Sequence, residues 1–426
     1  NLMEAISMVR VRDLVAEYLR DASPARRAEI LQALGREEGA TPTRIVQIVR
    51  GLRPPIETTP QPDRAPGNFA LTTTLSGLTE PIYYEVQLPD EYDPLRKYPA
   101  IVTLHGEDHQ PSNQIDWWAG SYDANSGMRL GQAARLGYIV IAPRWTRESQ
   151  RRYEYTGREH AAVLASLRDA CRRFSVDTDR VYLSGHSAGG DAAWDIALAH
   201  PDLWAGAIPI VAVADYGGDA PKYVSFYHKN ARYVPLYFVT GELDGNRLEL
   251  NRRDFDRYLK QVDTDCVLIE YRGRGHEHFY DEIHHLFDWM KLHRRNATPQ
   301  EFECSTMRPF DSFFWYLEVQ GLPAGSIATP LAWADINRVR PAVLEFRKNA
   351  NNTLLVRSGA EQAWLWLTDE LINLSGSVMI DVNGNTRSYD VTPQVETILE
   401  DARTRVDRVR PFWTKLELTT GKRNTR

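Results

Sequence analysis

The segment Gly185-His186-Ser187-Ala188-Gly189-Gly190 places a serine between glycines two residues to either side. It follows the apolar run Arg180–Leu183 and opens the helical stretch that ends before Pro201. A nucleophile in a tight strand-to-helix turn needs tiny neighbours on both sides, and Gly185 and Gly189 supply them. Ser187 then projects its hydroxyl at a helix N-terminus, where the Ala188 amide faces a developing oxyanion. A serine hydroxyl is a poor nucleophile without a base. For a serine on a strand-to-helix turn of this kind the acid and the histidine are expected after it, in the order Ser, acid, His. Asp244 stands just beyond the strand-like run VPLYFVT, with Glu242 as the substitute and a solvated turn aspartate as the plain alternative. His276 lies in the glycine-containing loop Arg272-Gly273-Arg274-Gly275-His276-Glu277-His278, with His278 as the other candidate. A second oxyanion donor is expected at the Glu107 amide. Gly106 turns the backbone there after the run IVTL, unless that glycine merely ends a strand. His276, His278, His284 and His285 could also be read as metal ligands. The last two sit on an expected helix, Asp281–Lys291, facing different sides, so neither a metal nor a cofactor is expected.

The pattern around these residues says what must hold them. Tyr83–Leu88 alternates like a strand. Pro99–Leu104 and Tyr138–Ala142 are short β-branched runs of the kind buried in parallel sheets. Gly127–Leu136 and Arg158–Phe174 read as helices, and Trp204–Val213, Val234–Thr240 and Cys266–Tyr271 as further strands. Strands alternating with helices over about 230 residues give a doubly wound, mostly parallel sheet. Residues 68–300 are therefore expected to form an α/β catalytic domain.

Both ends of the chain differ from this middle. Met8, Val11, Leu14, Val15, Tyr18 and Leu19 recur at helical spacing, and Ser23-Pro24 and Thr41-Pro42 look like helix starts. Residues 1–52 thus form a helical appendage. Residues 53–67 hold five prolines and read as a stiff linker. From 305 to 426 the runs Phe313–Val319, Val343–Arg347, Thr353–Arg357, Ala363–Leu367 and Val378–Val382 are strand-like, and Asn383-Gly384 marks a hairpin. Val395–Arg405 reads as one helix before a last strand near Trp413–Leu418. This reads as a mainly antiparallel β domain that packs on the catalytic domain without catalysing. Trp333, Trp364, Trp366 and Trp413 are its core or interface, the alternative being a carbohydrate-binding aromatic patch.

The string from LPDEYDP through KYPAIVTLHG, DTDRVYLSGHSAGGDAAWDIALAHPD, GELDG and GRGHE resembles the α/β-hydrolase superfamily. Within it the chain is similar to bacterial esterases of the polyhydroxybutyrate-depolymerase-like, dienelactone-hydrolase-like and prolyl-oligopeptidase-like group. The likeness covers roughly residues 80–295. It implies an α/β-hydrolase fold and a Ser187, His276, Asp244 triad with oxyanion amides at Ala188 and Glu107. The helical start and the β region after residue 300 depart from the minimal fold. The reaction implied is hydrolysis of carboxylic esters. A peptidase of related fold and a non-catalytic scaffold are the alternatives.

Trp117, Trp118 and Tyr122 follow the oxyanion loop, and Trp145, Tyr153 and Tyr155 follow the next strand. Aromatics leaving strand C-termini could stack on a sugar or aryl group, so Trp117, Trp118, Trp145 and Tyr153 are candidate substrate contacts. Core packing of the same rings is the equal alternative.

Composition bounds the partners. The 426 residues carry 51 Lys+Arg against 57 Asp+Glu, a net charge of −6, without the basic field that phosphate contacts need. Nucleic acid is therefore not an expected partner; a small-molecule or polysaccharide-linked ester is. No window of about 20 apolar residues suggests a membrane span. Cys171, Cys266 and Cys304 are far apart and form no CxxC pair, so buried free thiols are expected, with one bridge left open. Residue 1 is Asn, so a leader can have been removed, and both exported and cytoplasmic locations stay open.

Overall fold

The computed structural model describes residues 2–56, 61–75, 80–214, 223–327 and 340–420. Eight strands build the main sheet: β1 Asn68–Thr73, β2 Ile82–Gln87, β3 Tyr98–Leu104, β4 Ile139–Pro143, β5 Val176–His186, β6 Gly206–Ile210, β7 Leu236–Gly241 and β8 Cys266–Tyr271. They lie in the order β1-β2-β4-β3-β5-β6-β7-β8. β2 runs antiparallel to both β1 and β4, and every pair from β4 to β8 is parallel. β3 and β4 are buried along their whole length, because helices cover both faces of a parallel sheet. The fold is thus the doubly wound, mostly parallel sheet that the strand pattern implied.

Among the described residues seven helices precede β6: α1 Leu2–Arg20, α2 Pro24–Leu34, α3 Pro42–Gly51, α4 Pro111–Ala119, α5 Gln132–Leu136, α6 Gly157–Arg173 and α7 Ala188–Ala199. Ser23 and Thr41 accept from the Arg26 and Arg44 amides and cap α2 and α3. α5 is shorter than the helix expected from Gly127. Arg129 is buried and donates to Asp116 Oδ1 and Gly120 O, so Met128–Arg129 is drawn into a two-residue strand instead.

After residue 300 the described residues form two further sheets, one of five strands and one of four. All pairings in them are antiparallel except Thr353–Arg357 against Ser377–Val382. The expected strand Phe313–Val319 is a hairpin, Phe313–Phe314 against Leu317–Gln320, because Trp315 turns the chain at φ +49°. Asn383-Gly384 makes a second hairpin with both φ angles positive. Ala363, Leu365 and Leu367 point into the core, while Trp364 and Trp366 share the outer face and lie half-buried under Lys415 Nζ. Trp413 is buried, and Trp333 lies outside the described residues.

The two ends of the chain share one core. Val11, Val15, Ile30, Ile45 and Val49 cluster with Leu344, Phe346, Leu365, Ile398 and Trp413. Tyr18 donates to Glu400 Oε2 at 3.1 Å, and Arg50 to Val409 O at 2.7 Å. This joint unit meets the main sheet through buried polar groups. Asn230 exchanges two bonds with the Ser305 backbone, at 3.0 and 2.8 Å. Arg308 reaches Asp195 Oδ2 at 2.7 Å and Asp311 Oδ2 at 2.5 Å. Cys171, Cys266 and Cys304 are free thiols, Cys266 half-buried and the others buried. Among the described residues no helix is long and apolar enough to cross a membrane.

Removing one member of a buried, hydrogen-bonded charge set leaves the others uncompensated, which typically costs about 3–5 kcal/mol. Arg308→Met is expected to lower stability by that amount, read as a shift of the urea midpoint. An unshifted midpoint would show that Asp195 and Asp311 do not depend on the guanidinium.

Candidate active site

β5 ends at His186 and α7 starts at Ala188, so one residue must turn the chain. Ser187 does so at φ +54° and ψ −121°, a strained conformation for a side-chain residue. The turn closes because its flanks lack side chains. A Cβ on Gly185 would lie 2.1 Å from Gly189 O, and one on Gly189 2.2 Å from Leu104 O. Ser187 N–H donates to Ile210 O at 2.9 Å, which ties the turn to β6.

The Gly106 loop follows β3 and abuts the turn. A Cβ on Gly106 would be 3.0 Å from His186 O and 3.3 Å from Ser187 Cβ. His109 Nδ1–H donates to Glu107 O at 2.7 Å, holding that carbonyl to one side. Ala188 is the first residue of α7, so its amide has no acceptor within the helix.

Asp244 stands three residues past β7 and is buried. His276 Nδ1–H donates to its Oδ1 at 2.9 Å, with Oδ2 at 3.1 Å. That leaves the Nε2 lone pair of His276 free to accept a proton. Glu242, the substitute acid, instead accepts from the Gly273 amide at 2.8 Å. Ser187, His276, Glu107 and His278 line one cavity of about 350 Å³. Among the described residues His276 bonds to Asp244 but not to Ser187. Catalytic hydrogen bonds are commonly loose until substrate binds.

Trp117, His186 and Arg247 have supporting roles that their sequence positions did not show. Trp117 Nε1–H and His186 Nε2–H both donate to His278 O, at 3.1 and 3.0 Å, and so pin the loop that carries His276. Arg247 places Nε 3.3 Å from Asp244 Oδ2 and donates from Nη1 to Val211 O at 2.6 Å. Its i,i+3 spacing from Asp244 was the available signal. Burial pushes the His186 ring down to about 3, so it stays neutral. Burial also lowers His278, helped by His109 and His276.

The four aromatic residues expected to touch substrate are buried, and none lines this cavity. Trp118 and Trp145 are fully buried, donating to Thr103 Oγ1 and His105 O. Trp117 supports the His278 carbonyl, and Tyr153 turns its hydroxyl to Asp195. Each ring had core to fill and a polar tip to satisfy there. His284 and His285 are exposed on the helix Ile283–Leu292, where His285 pairs with Glu282.

The strand order, with a serine turn after β5, an acid after β7 and a histidine after β8, defines an α/β-hydrolase. The family model described as "Putative esterase" matches residues 76–291, just over half the chain, and the protein belongs to that family. It is accordingly an ester-cleaving hydrolase. Similar solved structures include a thermostable esterase at 19% identity and TM-score 0.42, covering 54% of this chain and 64% of that one. The chain therefore spans under two thirds of that esterase's length. An S-formylglutathione hydrolase from Agrobacterium tumefaciens is 17% identical, covering 54% of this chain and 97% of that one at TM-score 0.42. Esterase 2 of Thermogutta terrifontis is 16% identical, covering 55% and 95% at TM-score 0.41.

The neutral His186 makes stability depend on pH. An unfolded histidine titrates near 6.5, so between about 6.5 and 3 the unfolded chain binds a proton that the folded one refuses. Stability should therefore fall as pH drops through that window, by about 1.4 kcal/mol per pH unit for this one group. Urea titrations at pH 7, 6 and 5 should show the slope, reduced in His186→Gln. An identical slope in the variant would remove His186 from the account.

Proposed function

We propose that the protein is a carboxylesterase in which Ser187 is the nucleophile, His276 the base, and Asp244 the group that orients it. The observation that carries the reading is the meeting, in one cavity, of the strained Ser187 turn and the Asp244-bonded His276. Ser187 Oγ attacks the ester carbonyl while His276 Nε2 takes its proton. The Ala188 and Glu107 amides stabilise the tetrahedral oxyanion. The alcohol leaves with the proton from His276, and water then cleaves the acyl-enzyme by the same route. Arg247 and Trp117 act as positioning residues, holding Asp244 and the His276 loop.

A polysaccharide-linked ester would need exposed aromatic faces beside the site, and the four candidate rings are buried. We read residues 68–300 as the catalytic domain. Residues 1–52 and the chain beyond 305 then act together as one accessory unit, supported by their common core.

Loss of a triad nucleophile typically costs on the order of 10⁶ in kcat. Ser187→Ala should lose that activity on p-nitrophenyl acetate and no longer react with a fluorophosphonate probe. Equal labelling of both proteins would refute the assignment. Asp244→Asn is expected to drop kcat by about 10⁴ through the wrong imidazole tautomer. If His278→Ala is inactive while His276→Ala turns over normally, the base is the other histidine. Acetylated xylan and an anilide, assayed beside the acetate, separate polysaccharide ester and amide cleavage from small-ester hydrolysis.

A further inference from the structure

A second cluster of histidine and carboxylate lies at the opposite end of α7 from Ser187. His160 comes from α6, His200 caps the C-terminus of α7, and Asp311 follows the strand Glu301–Thr306. All three are buried. Their inward atoms form a tight triangle. His160 Nδ1 is 3.1 Å from His200 Nε2, Asp311 Oδ1 is 3.4 Å from the former, and it is 3.5 Å from the latter. Ligands bound to one tetrahedral ion at about 2.0–2.2 Å stand about 3.3–3.6 Å apart. Both Asp311 separations fall in that range, and the two histidine nitrogens stand slightly closer, at 3.1 Å.

Proton accounting points the same way. The Tyr153 hydroxyl donates to Asp195 Oδ2, so it can only accept from His160 Nε2, 2.7 Å away. His160 Nε2 therefore carries the ring proton, and Nδ1 faces the triangle as a lone pair. His200 Nε2 can donate to that lone pair, but the single proton is then spent. Asp311 Oδ1 is left fully buried without a hydrogen-bond partner. Its other oxygen is held by Arg308 at 2.5 Å and Tyr227 at 3.0 Å, which fixes the orphan atom toward the histidines. A buried carboxylate oxygen facing an imidazole lone pair is costly unless a cation sits between them. Asp195 and Asp311 against Arg308 also leave one net negative charge in direct contact.

We propose that His160, His200 and Asp311 bind a divalent transition cation of the zinc class. Two imidazole nitrogens and one carboxylate oxygen are a donor set suited to it. Asp195 beside His160 Nε2 supplies the outer carboxylate that orients a ligating imidazole. His160 and His200 also line a cavity of about 440 Å³ bordered by Phe310, Arg168 and Trp366, which offers an entry path and a fourth position for water. α7 has 12 residues, so this site is about 18 Å along the helix from Ser187. The ion is therefore structural. It fastens α6 and the end of α7 to the segment that leads into the C-terminal sheets.

The full chain, stripped with a chelator and dialysed, would be titrated with Zn²⁺ and, separately, with Co²⁺. Wild type should take up one equivalent tightly. Saturating Zn²⁺ should raise its melting temperature by about 5 °C. Co²⁺ should give the intense visible bands of a tetrahedral site. His200→Gln and the near-isosteric Asp311→Asn should lose uptake, melting shift and bands, while still reacting with a fluorophosphonate at Ser187. Absence of uptake and of a melting shift in wild type would overturn the proposal. So would uptake and spectra unchanged in Asp311→Asn, which would assign the metal to the exposed histidines around Ser187. If His200→Gln does not fold, the wild-type Co²⁺ spectrum and Asp311→Asn decide, octahedral bands counting against the site.

Discussion

Backbone crowding behind Ser187 is the constraint on which the arrangement rests. A positive φ at a serine costs on the order of 1–3 kcal/mol and persists only where its surroundings over-determine it. Here they do so through main-chain atoms. The missing Cβ atoms of Gly189 and Gly190 would strike Leu104 O and Ile210 O, at 2.2 and 2.7 Å. The turn can therefore form only when β3 and β6 flank β5, as the sheet order has them. The same closeness brings the Gly106 loop against the serine, so the proposed nucleophile and the proposed oxyanion amide are set by one packing event.

The rest of the candidate site hangs on carbonyls and side chains around that turn. His278 O is gripped by Trp117 and His186, and Asp244 is gripped by His276 and Arg247. The grips come from α4, from the serine turn itself and from the helix that starts at Arg247. At its far end α7 is held by Arg308, which joins Asp195 to the chain beyond residue 300. The helix behind the serine thus has a fixed point at each end.

How much of this could be read from residue order depended on sequence distance. Ser187 was legible because a serine turn requires glycines at fixed offsets, and Gly185 and Gly189 lie two residues to either side of it. Asp244 and His276 were legible because each ends a β-branched run at a glycine-containing loop. The aromatic rings were not, since a tryptophan after a strand looks the same whether it faces substrate or core. Trp145 and Tyr153 went inward because His105 O and Asp195 offered their polar tips a partner. Trp315 looked like mid-strand because no glycine or asparagine marks its positive φ. His160, His200 and Asp311 left no trace, being separated by 40 and then 111 positions with no motif between them. The shared core of the two chain ends was equally silent, because periodicity says that a helix has an apolar face but not what will cover it.

That shared core sets an order of events during synthesis. α1 to α3 leave the ribosome before the main sheet does, yet the residues that cover their apolar faces lie beyond position 301. At roughly 5–20 residues per second, some 250 intervening residues impose a wait on the order of tens of seconds. Meanwhile β1 to β8 can assemble, since all their partners have already emerged. A segment made before the main sheet thus finishes folding after it, its apolar faces open to chaperones or to aggregation until the chain closes on itself.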